Sequence, residues 1–292
     1  MRSPIVTTHR SKSNRKNLTF VLAAVLFSAL ACDIYGLPDT PIPPPPADGG
    51  AAAPEPAPLE PTAEPTAVPD VDYQGVQFSF DEGIASYVNM EIMPALGPGE
   101  TAEWAYTPEY IQFSFGDYML PDTFHEARLV VIPVEEYRAV NPSAPFNIDA
   151  LAAILAARPA PLGEDLPFLP VWNAAHLIQS NAIYVDFQNG AGIRYLTQHG
   201  QAYWPINSHD LFYTFQGLTT DGRFYISAIL PVSHSQLQAT GDDIPGGDHA
   251  AFGENFLTYV VDIKSLLESQ PDGSFAPSLE LLDALITSLL VE

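Results

Sequence analysis

Two turn-forming dipeptides, Asn189-Gly190 and Asp221-Gly222, separate strand-like runs within residues 181–234, and nothing else constrains the fold as strongly. The runs are Ala182–Gln188, Gly192–Gln198, Asp210–Thr219 and Arg223–Val232. Both dipeptides readily take the positive φ that tight hairpins require. A two-residue turn at Asp221-Gly222 sets Phe215 against Ala228, Tyr213 against Leu230, Gly217 against Ile226 and Thr219 against Phe224. That register gathers one apolar face at period two, whereas a slip of one residue mixes the faces. In the first hairpin, a three-residue loop of Gln188-Asn189-Gly190 sets Val185 against Ile193, Ile183 against Tyr195 and Tyr184 against Arg194.

Earlier segments add strands. Val76, Phe78 and Phe80 alternate with polar residues, as do Val88, Met90 and Ile92, then Ile111, Phe113 and Phe115. Arg128–Val134 is apolar on both sides and reads as a central strand. Helical periodicity appears at Ile148, Leu151, Ala152 and Leu155, with Asn147 as cap and Pro159 as stop. It returns over Ala250–Ser269, where Phe252, Phe256, Tyr259, Val260, Ile263 and Leu267 make a stripe, and over Leu279–Leu290 with Ser278 as cap. The expected class is α+β: an antiparallel meander sheet with tight hairpins, packed by C-terminal amphipathic helices, forming a single domain over residues 71–292. The element order of residues 181–269 loosely resembles the PsbP/Mog1-like fold. That resemblance carries no functional residue across.

Residues 1–31 form an export signal: five basic residues and no acid precede an apolar run from Leu18 to Leu30. The run is short for a membrane span. Ala29-Leu30-Ala31-Cys32 resembles a bacterial lipobox, with Leu30 one place nearer the cysteine than is usual. The resemblance implies lipidation of Cys32, the only cysteine, and hence a membrane-anchored lipoprotein. Ala29-x-Ala31 also suits ordinary signal peptidase, which would give a secreted chain. Residues 32–70 carry the anchor and a tether; twelve of residues 38–70 are Pro, a composition that favours extended polyproline II over a packed core.

Charge limits the partners. Five of the 11 basic residues lie in the signal, so residues 32–292 keep six against all 35 acids, a formal charge of six minus 35, or −29. Nucleic acid is excluded as a partner, and an anionic membrane surface is repelled, leaving the lipid anchor as the route to a membrane.

Catalytic signatures are missing: there is no Gly-x-Ser-x-Gly, His-Glu-x-x-His or Ser-x-x-Lys. Ser208-His209-Asp210 names the residues of a triad, but neighbours along a strand point to opposite faces. In the second hairpin's register His209 faces His234, and His199 and His249 end segments that return toward the same edge. Those four histidines with nearby aspartates are a candidate zinc set, read against solvated loop histidines. The acidic, Gly-rich loop Thr240–Asp248 admits calcium, read against a plain helix cap at Asp248. Phe212, Leu218, Tyr225 and Arg223 share the second sheet face and form a candidate ligand face for a sugar, peptide or small apolar molecule. The competing reading is that another layer covers them. The functional expectation is a tethered binding domain for an envelope or extracellular ligand, with a metal-assisted hydrolase and a non-binding scaffold as alternatives.

Overall fold

The computed structural model describes residues 68–292. The expected export signal, Cys32 and all of the expected tether but its last three residues lie outside the described residues.

The chain is α+β. Seven strands make one antiparallel sheet: β3 (Tyr87–Met93), β4 (Tyr110–Gly116), β5 (Arg128–Pro133), β6 (Ala175–Phe187), β7 (Gly190–Gly200), β8 (Phe212–Thr219) and β9 (Phe224–Pro231), in the order β3-β4-β5-β9-β8-β7-β6. Two meanders therefore meet where β5 pairs with β9. A second, three-stranded sheet joins β1 (Val71–Tyr73), β2 (Val76–Phe78) and β10 (Leu290–Val291). Among the described residues four α-helices complete the fold: α1 (Val134–Val140), α2 (Ala144–Ala157), α3 (His249–Glu268) and α4 (Leu279–Thr287).

The β8–β9 register is the expected one, with Phe215 opposite Ala228, Tyr213 opposite Leu230 and Gly217 opposite Ile226. Its turn is wider than two residues. Only Gly222 has positive φ, at 71°, and its N–H donates to the Thr219 carbonyl at 2.9 Å. The Asp221 carboxylate accepts from Thr219 Oγ1 at 2.7 Å and from Arg223 N–H at 3.0 Å, so side chains hold the wider loop in the same register.

The first hairpin differs from expectation by one residue. Phe187 faces Gly190, Val185 faces Gly192, and Tyr184 faces Ile193, so the loop is Gln188-Asn189. Gly190 serves space, not positive φ: a Cβ there would lie 2.1 Å from Phe187 Cζ and 2.4 Å from the Leu218 carbonyl oxygen. Asn189 is fixed from outside the hairpin, donating to the Val291 carbonyl at 2.5 Å and accepting its N–H at 3.2 Å. Such tertiary anchoring overrides the local turn preference.

Each face of the large sheet carries its own core. On the first face Phe113, Phe115, Leu129, Leu196, Tyr213, Phe215, Ala228 and Leu230 pack beneath α3, α4 and the small sheet. Phe78 meets Phe113 edge-on at 5.2 Å and Phe80 meets Phe115 at 6.0 Å, so the two look-alike segments pack on each other. On the second face Val130, Ile132, Ile193, Tyr195, Tyr225 and Ile229 lie under α1, α2 and residues 166–169. Buried Gln216 links four polar groups on that face: its Oε1 accepts from Leu169 N–H (2.9 Å) and Tyr225 O–H (2.7 Å), while Nε2 donates to Thr214 (2.9 Å) and Ser227 (3.0 Å).

Caps explain where the helices start. Asp248 accepts from Ala250 N–H at 2.9 Å and Ala251 N–H at 3.2 Å, and Ser278 accepts from Glu280 N–H at 3.2 Å. The helix expected to begin at Asn147 starts earlier, at Ala144, with Ser143 at its N-cap, and ends at Arg158 in the left-handed region before Pro159.

Candidate binding cleft

The layer over the second face stops short of one end of the sheet. There Phe212 remains fully buried, but a shell of aromatic and imidazole rings, not a helix, covers it. His199 stacks on Phe212 with ring centres 5.6 Å apart and planes 13° apart. His125 meets Phe212 edge-on at 4.6 Å and stacks against Trp172 at 4.9 Å. Phe168 and His176 close the inner side, with His176 and His199 ring centres 4.2 Å apart.

Above these rings opens a cleft of ≈ 850 Å³, within the range of small-molecule sites. Its walls come from four connections: Phe124, His125 and Arg128; Trp172 to Ala174; His199 to Trp204 with His209 and Asp210; and Thr240 to Asp242. Trp172 and Arg128 also line an adjoining cavity of ≈ 290 Å³ that continues to Trp104 and Tyr110. All three tryptophans of the chain thus line two cavities that share Arg128 and Trp172.

Burial governs the cleft's electrostatics. It lowers His125 to about 4, helped by Arg128 and His209 and opposed by Asp210. It lowers His176 to about 4. His199 falls to about 2, through burial first and then its neighbours His176 and His125. The three imidazoles are therefore neutral donors and acceptors at neutral pH. Thr197 Oγ1 donates to the Ile178 carbonyl at 2.7 Å, so it accepts from His176 Nδ1, 3.0 Å away, which fixes that tautomer.

Of the candidate zinc set, His199 and His209 line this cleft, whereas His234 and His249 lie elsewhere. His234 sits on the first-face side, with Nε2 3.1 Å from Ser274 Oγ and its ring 4.8 Å from Phe275. It does not face His209, because pairing passes from Pro231 opposite Phe212 to Ser233 opposite Ala276. His249 begins α3, with its ring 6.1 Å from Trp204. Among the described residues no three His, Cys, Asp or Glu side chains gather as metal ligands. In the calcium candidate loop Asp248 is occupied as the helix cap.

The candidate ligand face is closed. Tyr225 and Leu218 belong to the second core beneath α1, α2 and residues 166–169, and Phe212 is covered by the rings of His125, Trp172 and His199. Arg223 stands exposed at the hairpin tip, held to Asp221. Ser208, His209 and Asp210 do not run along a strand, contrary to expectation. These residues form a turn before β8, and there His209 Nδ1 does meet Asp210 Oδ1, while Asp210 Oδ2 accepts from Asn207 Nδ2 at 2.9 Å. Ser208 takes no part, since its Oγ donates to the His234 carbonyl at 3.3 Å.

His125, Arg128, Trp172 and Trp104 were not singled out from sequence. The scarcity of tryptophan was the available signal, because its three copies, scattered along the chain, converge here. No family profile, characterised protein or solved structure matches the chain.

Proposed function

We propose that the chain is an exported, lipid-anchored binding domain that holds an oligosaccharide in the cleft between Trp172 and Trp204. The convergence of all three tryptophans on the two adjoining cavities carries this reading. Indole faces stack on the C–H faces of sugar rings, while Asn173, Gln201, Asp210 and Asp242 supply the donors and acceptors that hydroxyl groups need. A stalk of polyproline character after a lipidated Cys32 would present such a site away from the membrane. Because the tryptophans sit in the groove, their emission reports occupancy directly. Titrating the full chain with neutral and acidic oligosaccharides should shift that emission, and Trp172→Ala should weaken binding about tenfold, the equivalent of ~1.4 kcal/mol. No emission change with any oligosaccharide would refute the reading. Palmitate should label the wild type and not Cys32→Ala; an unlabelled wild type would remove the anchor.

A second reading rests on the Asn207–Asp210–His209 hydrogen-bond chain. Asp210 holds the His209 proton on Nδ1 and leaves Nε2 as a base, the orientation that general-base catalysis uses. Conversion of a bound oligosaccharide by wild type, lost in His209→Ala with binding retained, would establish it. Retention of any such conversion in His209→Ala would exclude His209 as the base.

A further inference from the structure

We propose that the cleft selects oligosaccharides bearing a carboxylate, and that Arg128 is the group that reads it. This rests on the saccharide reading above and narrows it to acidic sugars.

Arg128 is singular in its company. Residues 32–292 hold six basic side chains, and five have acidic partners: Arg138 with Asp149 (2.6 Å), Arg158 with Asp186, Arg194 with Asp272 (2.7 Å), Arg223 with Asp221 (2.5 Å) and Lys264 with Glu268 (4.0 Å). Among the described residues, Arg128 alone has no carboxylate within 4.0 Å and donates no side-chain hydrogen bond. No described aromatic ring takes its cation either; among the described residues such contacts are made by Arg158 and Arg223. In so acidic a domain, an arginine with no carboxylate within 4.0 Å among the described residues is a costly arrangement.

Its position supplies the reason. Arg128 opens β5 on the second face, opposite Ser114 on β4 and Ile229 on β9. It lines both the main cleft and the adjoining cavity, beside Trp172. Burial is the dominant influence on it and lowers its pKa, against the pull of Tyr110 and Glu126, yet arginine stays charged. A partly buried guanidinium with unused donors is a preformed fork for a carboxylate. The rest of the wall decides the charge of the ligand. Asp210 and Asp242 share the cleft, and His125 and His199 are neutral, so one positive group faces two acids. Arg128 can neutralise the single charge of a carboxylate on a sugar ring, while a phosphate dianion leaves a second negative charge uncompensated beside the two acids. The planar fork fixes the carboxylate while Trp172 takes the ring face.

The test compares a galacturonate trimer with the uncharged galactose trimer of the same linkage, by tryptophan emission and calorimetry on the full chain. Wild type should bind the acidic trimer about tenfold or more tightly than the neutral one, as a charge-assisted bidentate pair implies. Arg128→Gln should level the two, Arg128→Lys should keep part of the preference, and Trp172→Ala should weaken both. Thermal melting checks that each variant is folded; should Arg128→Gln unfold, the Lys variant alone decides, with an undiminished preference counting against the proposal. Equal binding of both trimers by wild type, or a preference that survives in Arg128→Gln, would overturn the role of Arg128 and leave the saccharide reading standing. Binding of neither trimer would overturn both. Displacement of the acidic trimer by inorganic phosphate more readily than by free galacturonate would overturn the choice of carboxylate.

Discussion

Replacing Arg194 by methionine probes the strongest buried electrostatic cluster in the domain. Arg194 lies on β7, 2% exposed, on the face beneath α4. Its Nη2 reaches Asp272 at 2.7 Å, its Nη1 donates to the Asn181 carbonyl at 2.6 Å, and its Nε lies 3.4 Å from Asp283. Asp283 Oδ1 in turn accepts from Tyr213 O–H at 2.9 Å. Burial raises the Asp283 pKa, although Arg194 and the Tyr213 hydrogen bond pull it down. Removing one partner of a buried pair costs about 3–5 kcal/mol. The Asp272 contact, with that side chain 35% exposed, adds at most ~1 kcal/mol after solvent screening. Apolar contact by methionine returns ~1 kcal/mol or more, so the net loss near pH 7 should be ~3 kcal/mol. For a domain of this size that lowers Tm by about 6–12 °C. The variant also carries a pH signature. Without Arg194 the Asp283 pKa rises further, so the folded state binds a proton that the unfolded chain, near its ordinary value, does not. Stability of the variant therefore increases as pH falls through that raised pKa, and the penalty relative to wild type shrinks toward about pH 5. Urea unfolding of both proteins at the two pH values reads this difference. An equal penalty at both, or one below about 1 kcal/mol, would refute the account.

Two further outcomes follow from the turn and from the cleft. Gly222→Val should cost about 1 kcal/mol or more through backbone strain alone, because φ is +71° and an added Cβ meets nothing within 4 Å; an unchanged urea midpoint would mean that the loop relaxes freely. His125, His176 and His199 are held near about 4, about 4 and about 2, while unfolded imidazoles titrate near ~6.5. Their contribution to stability is present above that value and is lost as pH falls toward about 4, so the urea midpoint should drop across that interval, and less in His199→Phe; a flat profile would contradict their neutral burial.

How far the sequence predicts this fold depends on whether a residue's role is local. Period-two alternation from Tyr213 to Gly217 was enough to register β8 on β9, because one slip would have set Phe215 against Ser227 and Gln216 against Ile226, mixing apolar and polar positions. The same logic failed for β6 and β7. Gly190 looks like a turn residue, yet Gly190 and Gly192 alike are strand positions emptied for the rings of Phe187 and Phe215, and no pattern within the hairpin states that. Asn189 answers to Val291, a partner some hundred positions away along the chain. The caps at Asp248 and Ser278 were readable because the cap and the amides it serves lie within three residues. α1 was not, since Val134–Val140 is two turns long and leaves too few apolar positions to show a period.

The cleft was hidden for a related reason, and its location follows from how the second face is covered. α1, α2 and residues 166–169 roof the sheet over Ile193, Tyr195 and Tyr225, which is why the expected ligand face is shut. A helical layer has finite length, however, and at Phe212 it gives way to loops. A sheet end left without a helix must still keep its apolar rings from water, and here His125, His199 and Trp172 do so with side chains that also present polar edges. The step between roof and loops is therefore a concavity lined by amphipathic rings, built from segments that begin near residues 124, 172, 199 and 240. Each segment alone reads as an ordinary polar connection. Only when β5 is paired with β9 does Arg128 come to stand beside Trp172, and that pairing joins residues about a hundred positions apart. Chemistry assembled by the longest-range contact in the sheet is the part of a protein that hydrophobic periodicity has least power to disclose.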